Sequence, residues 1–324
     1  MSTVGGEHNS ARGALWAVAS ATAYSLSSVV GKDLLDSLGP TSLIFWRFSI
    51  ATVVLWVAAL MWQRRGGPNP FDVPRWTMLG LGVMFGLMVL IGFLALDRID
   101  ASLYIVLIYL YPVLVVAGSA ALGTRPARLT WAALALVMAG IVLTVPELFT
   151  GVGDVNVFGV ALTLAQAVIF ASYMIVSNRV VPQSIDGVVT AAWIVLGASL
   201  VITPIALIGG LARPHGGVLV FEVAVFALIP TVVSSVCFFQ AMRHILPGAV
   251  AMVQTLEVAL VMLWAVLFLG EELRAIKIAG AAVVVVVSGA PTAGNANAVN
   301  NSDTPTKTPR ARRGTRKGLR RTIW

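Results

Sequence analysis

The chain has 324 residues, 58% of them hydrophobic and only 11% charged, with a mean hydropathy of +0.90. Soluble domains carry about 25% charged residues, so this composition excludes a soluble domain and points to an all-α integral membrane protein. The net charge of +8 does not indicate a nucleic-acid partner, because the tail 291–324 holds +7 of it and everything before it only +1.

Ten apolar stretches follow one another along the chain: 13–31, 41–62, 76–96, 102–122, 129–146, 157–178, 188–211, 221–241, 247–269 and 273–290. Most run near the roughly 20 residues that cross a bilayer core of about 30 Å. The first has the look of a signal peptide, with Arg12 before an apolar core and AVASATA. Nine further stretches make it a retained anchor helix instead. The last is the shortest and carries Lys277, yet 280–289 is almost wholly Ala and Val. The expected organisation is an N-terminal tail 1–12, a five-helix unit 13–146, a second five-helix unit 157–290, and a disordered basic tail 291–324 drawn to anionic lipid.

Lys and Arg in the loops set the orientation. With a cytoplasmic N-terminus that side holds Arg12, Arg64, Arg65, Arg75, Arg125, Arg128, Arg179 and Arg243, plus eight more in the tail. The other side holds Lys32, Arg98, Arg213, Arg274 and Lys277. The expectation is a multi-pass protein of the bacterial inner (plasma) membrane with both termini cytoplasmic.

The two units are one unit written twice. At an offset of 146, Gly13 meets Gly159, Ser20 meets Gln166, Tyr24 meets Phe170, Ser27 meets Tyr173, Arg98 meets His244, Ile99 meets Ile245 and Tyr111 meets Glu257. Trp46 and Trp193 match at 147, as do Gly123 and Gly270. Five spans per unit is an odd number, so the second copy enters the membrane from the opposite side. That is an inverted repeat, in which transporters bind substrate near mid-membrane between the halves.

These motifs resemble the drug/metabolite transporter superfamily, EamA type. The resemblance rests on the five-plus-five layout, on FWRFSIA near the start of the second stretch, on ALDRIDASLYIVLIYLYPVLV in the fourth, and on QAMRHILPGAVAMVQTLEVALVMLWAVLFLGEEL followed by Gly280. It implies movement of small metabolites across the membrane, with export of amino acids or related compounds common in the family. One departure stands out. The family pairs Glu with Pro in the ninth span, whereas here Glu257 precedes Val258, and the proline survives only as Tyr111-Pro112. The expectation is therefore a helix-loosening feature in the first half alone.

Buried polar groups in hydrocarbon must face the bundle interior or a watery cavity. Ser20, Tyr24 and Ser27 share one helical face, as do Gln166, Phe170, Tyr173 and Ser177. Tyr104 and Tyr111 share another, and Gln254, Glu257 and Trp264 a fourth. Any single Ser or Tyr reads most simply as interhelical glue, while the four faces together read as the lining of one cavity. Glu257 is the strongest candidate, since a carboxyl at mid-membrane is positioned to exchange a proton as substrate comes and goes. Arg47 is the one deep cation. It either snorkels to the headgroups, pairs structurally, or contacts substrate.

No cofactor and no metal site is expected. His8, His215 and His244 fall in separate segments, with His215 and His244 on opposite sides of the membrane, so no His-based metal site or nucleophile triad assembles. No phosphate-binding Gly-Lys-Ser/Thr motif occurs. The expected activity is secondary transport rather than catalysis, with a small-molecule substrate, membrane lipids and protons as partners. An uptake permease, a passive channel or a basic-tailed membrane anchor are the alternatives.

Overall fold

A chain this apolar must satisfy its backbone internally, and helices do so within one segment. The computed structural model describes residues 3–96, 98–99, 101–124, 126–144, 156–269 and 275–289, and none of them is in a strand. The basic tail and Glu271, Glu272 and Arg274 lie outside the described residues.

The first repeat comprises α1 (Thr3–Leu38), α2 (Pro40–Arg64), α3 (Arg75–Leu96), α4 (Ala101–Ile108), α5 (Tyr111–Ala121) and α6 (Arg128–Thr144). The second comprises α7 (Val157–Val180), α8 (Gly187–Ile208), α9 (Gly217–Ala227), a π-helical turn (Leu228–Val233), α10 (Ser234–Met242), α11 (Pro247–Gln254), α12 (Leu256–Leu269) and α13 (Ala275–Gly289). A helix stands at each of the ten expected positions. Among the described residues, seven helical stretches are long and apolar enough to cross a membrane, and two shorter apolar helices, Arg128–Leu143 and Ile278–Val287, close the repeats. The first helix is longer than expected: α1 already begins at Thr3, inside what reads as a tail, and continues past residue 31 to Leu38.

Helix starts follow local chemistry. Gly39 adopts φ 70°, which frees Pro40 to open α2. Asn156 caps α7 through the Gly159 N–H, and Asp186 caps α8 through the Val188 N–H. The outward surface is apolar, with Val53, Val57 and Met61 exposed on α2 and Val218 and Phe221 on α9. The polar residues Ser20, Arg47, Gln166, Thr231 and Gln254 are buried. That inside-out distribution is what a lipid solvent demands.

The repeats interlock by exchanging equivalent contacts. A Cβ added to Gly13 on α1 would stand 2.7 Å from Ile245 and 2.8 Å from His244, and one on Gly159 of α7 would stand 2.6 Å from Ile99 and 3.0 Å from Arg98. All three residue pairs are related by the offset of 146. Arg98 follows the C-terminal end of α3, whereas Met78 near its N-terminal end packs with Val189 and Ile185, beside the Asp186 that Arg243 contacts, so α1 and α7 start near opposite ends of α3. Trp46 on α2 donates its indole N–H to Ala212 O at 2.9 Å, and Trp193 on α8 donates to Pro70 O at 2.8 Å, so each ties down the other repeat's connection. The closest crossing is α3 on α8. A Cβ on Gly197 would lie 2.6 Å from Leu79 O and 2.9 Å from Gly82 Cα, so only glycine permits this approach.

Candidate functional site

Two broken helices meet at the centre. In the first repeat α4 ends at Ile108 and α5 begins at Tyr111. Pro112 has no N–H to offer Ile108 O, so the helix cannot run through. In the second repeat α11 ends at Gln254 and α12 begins at Leu256, with Thr255 between them. Thr255 is the repeat mate of Tyr109, so the breaks coincide. The expectation of a one-sided break is therefore corrected. Here a threonine stands in for the proline: its hydroxyl and its N–H both donate to Met252 O, at 2.6 and 3.2 Å, and Val258 N donates back to Thr255 O at 3.1 Å. A side-chain hydroxyl that claims a backbone carbonyl tightens the turn and bends the helix.

Glu257 lies just past the second break, and its carboxyl interacts with the side chain of Tyr109, from the first break. Tyr24, Tyr104, Tyr109 and Tyr111 all lie within electrostatic reach of it, as does Arg47. Four of the chain's five tyrosines thus share one electrostatic neighbourhood with this carboxyl. Tyr111 stacks on Phe170 at 4.5 Å and on Tyr109 at 5.9 Å, and its hydroxyl donates to Ala251 O at 3.4 Å. Tyr104 donates to Gln166 Oε1 at 2.9 Å.

Arg47 does not snorkel. It is 6% exposed, its Nε donates to Thr231 Oγ1 at 2.6 Å and its Nη2 to Pro230 O at 3.3 Å. Its guanidinium lies 5.8 Å from the centre of the Tyr24 ring and 4.9 Å from that of Phe226. It therefore grips the π-helical turn, where Pro230 interrupts the helix.

Ser20 on α1 holds both edges of the segment between the breaks. Its hydroxyl donates to Ser234 O at 3.0 Å, at the start of α10, and accepts from Gln254 Nε2 at 3.3 Å, at the end of α11. At the tip of that α10–α11 hairpin, Arg243 Nη1 donates to Asp186 Oδ2 at 3.2 Å and to Gln240 Oε1 at 2.8 Å. Gln240 Nε2 joins the same carboxylate oxygen at 2.8 Å, and Arg243 Nε donates to Gln183 O at 2.9 Å. The hairpin is thus pinned at its base to α1 and latched at its tip to the start of α8.

Of the residues expected from sequence, Glu257, Tyr24, Tyr104, Tyr111 and Arg47 come together, Gln166 joins through Tyr104, and Ser20 and Gln254 form an adjoining layer. Ser27 is half-buried on α1. Tyr173 stands apart, fully buried and packed 5.7 Å from the Phe85 ring. Sequence reasoning missed Tyr109, Thr231, Ser234 and Ser25, which accepts from Trp264 Nε1 at 2.8 Å. Tyr109 fails the helical-face test with Tyr111 because two residues turn a helix by about 200°. The one available signal was its place at the offset opposite Thr255.

The family model described as the EamA-like transporter family matches residues 11–145 and again 157–288. An "Uncharacterized transporter YcbK" of Bacillus subtilis (strain 168) is 25% identical over 257 residues, 76% of this chain and 82% of that protein. An "Uncharacterized transporter sll1319" of Synechocystis sp. is 25% identical over 147 residues, 44% of this chain and 42% of that protein. A solved crystal structure shares the fold, with a TM-score of 0.76 at 20% identity over 88% of this chain and 98% of its own.

Proposed function

The chain belongs to the EamA-like transporter family, and from that membership we propose that it is a ten-span secondary transporter that exports small metabolites, amino acids and related compounds, by proton-coupled alternating access. In this reading it sits in the bacterial inner membrane with both termini cytoplasmic, and its partners are substrate, protons and lipid. The supporting observation is that the two helix breaks, one from each repeat, come together, with Tyr111 bonded to Ala251 O and Tyr109 interacting with a single carboxyl, Glu257. A carboxyl between two inverted repeats is where one site can hold a proton or a cationic group, but not both. That exclusivity couples the two fluxes: substrate binds the carboxylate from the cytoplasm, and a proton from outside displaces it.

The moving part is the α10–α11 hairpin. The π-helical turn and Thr255 flank it as the two points where the regular helix is already interrupted. Parting Arg243 from Asp186 frees its tip, while Ser20 keeps its base on α1. Glu257 then opens toward the Arg243 end of the bundle, which is the cytoplasmic end in this orientation.

The test is transport into proteoliposomes loaded against an imposed pH gradient, with a labelled amino-acid mixture. Wild-type protein accumulates label only with the gradient. Glu257→Gln keeps the shape and loses pH-driven accumulation, with exchange down the substrate's own gradient continuing only at weakened affinity because the carboxylate is gone, and Glu257→Asp retains part of the activity with a shifted pH profile. Gradient-independent transport by wild type would overturn the proton-coupled reading in favour of a passive permease or channel.

A further inference from the structure

We propose that this site selects its substrate by a protonated amine and not by a carboxylate, so that compounds with a free amine and a neutralised acid group are ligands in their own right. The inference rests on the reading that Glu257 lies on the transport path, and it specifies what meets Glu257 there.

The first observation is an orphaned acceptor. Gln254 is 8% exposed, and its Oε1 has no hydrogen-bond partner. Its orientation follows from the hydrogen-bond network rather than from choice. Ser20 has one hydroxyl proton, and that proton goes to Ser234 O. The Ser20 oxygen must then accept from Gln254, which places the amide nitrogen at Ser20 and leaves the amide oxygen outstanding. A buried acceptor without a donor is costly, so Oε1 marks a place for a donor that arrives from elsewhere. Glu257, three residues on, has acceptor capacity beyond its interaction with Tyr109, since an ionised carboxylate offers about four lone-pair positions.

The second observation is aromatic. Tyr111, which interacts electrostatically with Glu257, stacks on Phe170 at 4.5 Å and on Tyr109 at 5.9 Å. Ring faces attract cations and offer nothing to an anion.

The third concerns the one cation that a substrate carboxylate would need. Arg47 donates to Thr231 and to Pro230 O, and lies over the Phe226 and Tyr24 rings. Those partners hold the π-helical turn in place, so recruiting Arg47 for substrate means dismantling the turn. Two acceptors, aromatic faces and a committed arginine together describe a receptor for an ammonium donor.

The experiment is equilibrium binding to the full chain in lipid nanodiscs, with three matched series. These are the free amino acids, their amides (amine kept, acid neutralised) and their N-acetyl derivatives (acid kept, amine neutralised). The amides should bind within about threefold of the parent amino acids, and the N-acetyl series at least about tenfold more weakly, a factor that corresponds to one lost charge-assisted hydrogen bond or more. Gln254→Leu should weaken amide binding about tenfold, and Gln254→Glu should restore it. N-acetyl compounds that bind as well as amides, absence of amide binding to folded wild-type protein, or a Gln254→Leu protein with wild-type amide affinity (Oε1 then serving water only) each overturn the proposal. Amide binding without amide transport would instead defeat the transport reading and leave the amine reading standing. Proton-driven transport of the N-acetyl series would do the reverse.

Discussion

The two repeats share a helix break but build it differently, and the difference divides their roles. The first repeat breaks with Pro112 and contributes neutral tyrosines, while the second breaks with the Thr255 hydroxyl and contributes Glu257. The contrast continues one span earlier. In the first repeat α3 is unbroken, and Gly82 and Gly86 seat it against Gly197 and Ala198 of α8. Its counterpart in the second repeat is split by the π-helical turn at Pro230, the repeat mate of Met84. One copy has become a tightly packed frame, while the other holds a hairpin that ends at the break next to Glu257. Inverted repeats need only start equal. Once the folds interlock, each copy is free to specialise.

The largest effect should come from the frame. Gly197→Leu forces a side chain into Leu79 O and Gly82 Cα, neither of which can retreat as a side-chain tip could. It should cost about 3 kcal/mol or more, read as a loss of thermal stability in detergent. A protein of unchanged stability would show that the frame is looser than its packing implies.

Arg47 comes next. Arg47→Lys keeps the charge but cannot present the planar fork that reaches Thr231 and Pro230 O together. Transport should fall about tenfold, which corresponds to the loss of one such hydrogen bond to a charged group. A Lys variant with full activity would count against Arg47 as the clamp on the π-helical turn.

The break can be swapped between repeats. Thr255→Val removes the hydroxyl bond to Met252 O and should cost about 1 kcal/mol. Adding Val258→Pro, which writes the first repeat's device into the second, should recover most of the lost transport. Proline is tolerated in the first turn of a helix, and the Val258 N–H makes only a short three-residue bond. Failure of the proline to rescue would mean that the two breaks are not interchangeable.

The smallest effect on stability belongs to the latch. Asp186→Asn removes a partly exposed ion pair worth about 0.5 kcal/mol. Its consequence should instead be seen in access. Cys237, the chain's single cysteine, is buried on α10 within the hairpin, so Asp186→Asn should speed its labelling by a thiol reagent several-fold. An unchanged labelling rate would count against the hairpin as the moving part.

Much of this was legible in the sequence. The apolar runs and the 146-residue offset give the helices and their pairing, because lipid forces every span to declare itself by composition. The offset also placed Gly13 and Gly159 correctly as equivalent contact points. The symmetric break was not legible, because the sequence marks it with proline in one copy and with an ordinary threonine in the other. Tyr109 stayed hidden for the same reason. Helical-face arithmetic assumes a continuous helix, and Tyr109 sits where the helix stops. Arg47 lies at a depth from which its side chain can reach either headgroups or a partner, and only the position of Thr231 decides between them.

The central claim is that the two breaks converge on one proton-exchanging carboxyl, and infrared difference spectroscopy tests it without knowledge of the substrate. Titrating wild-type protein in lipid should reveal a protonated-carboxyl band that disappears as pH rises. That band should be absent from Glu257→Gln and displaced in frequency and titration point in Tyr109→Phe. A folded wild-type protein with no titrating band that depends on Glu257, or a band indifferent to Tyr109, would contradict the account.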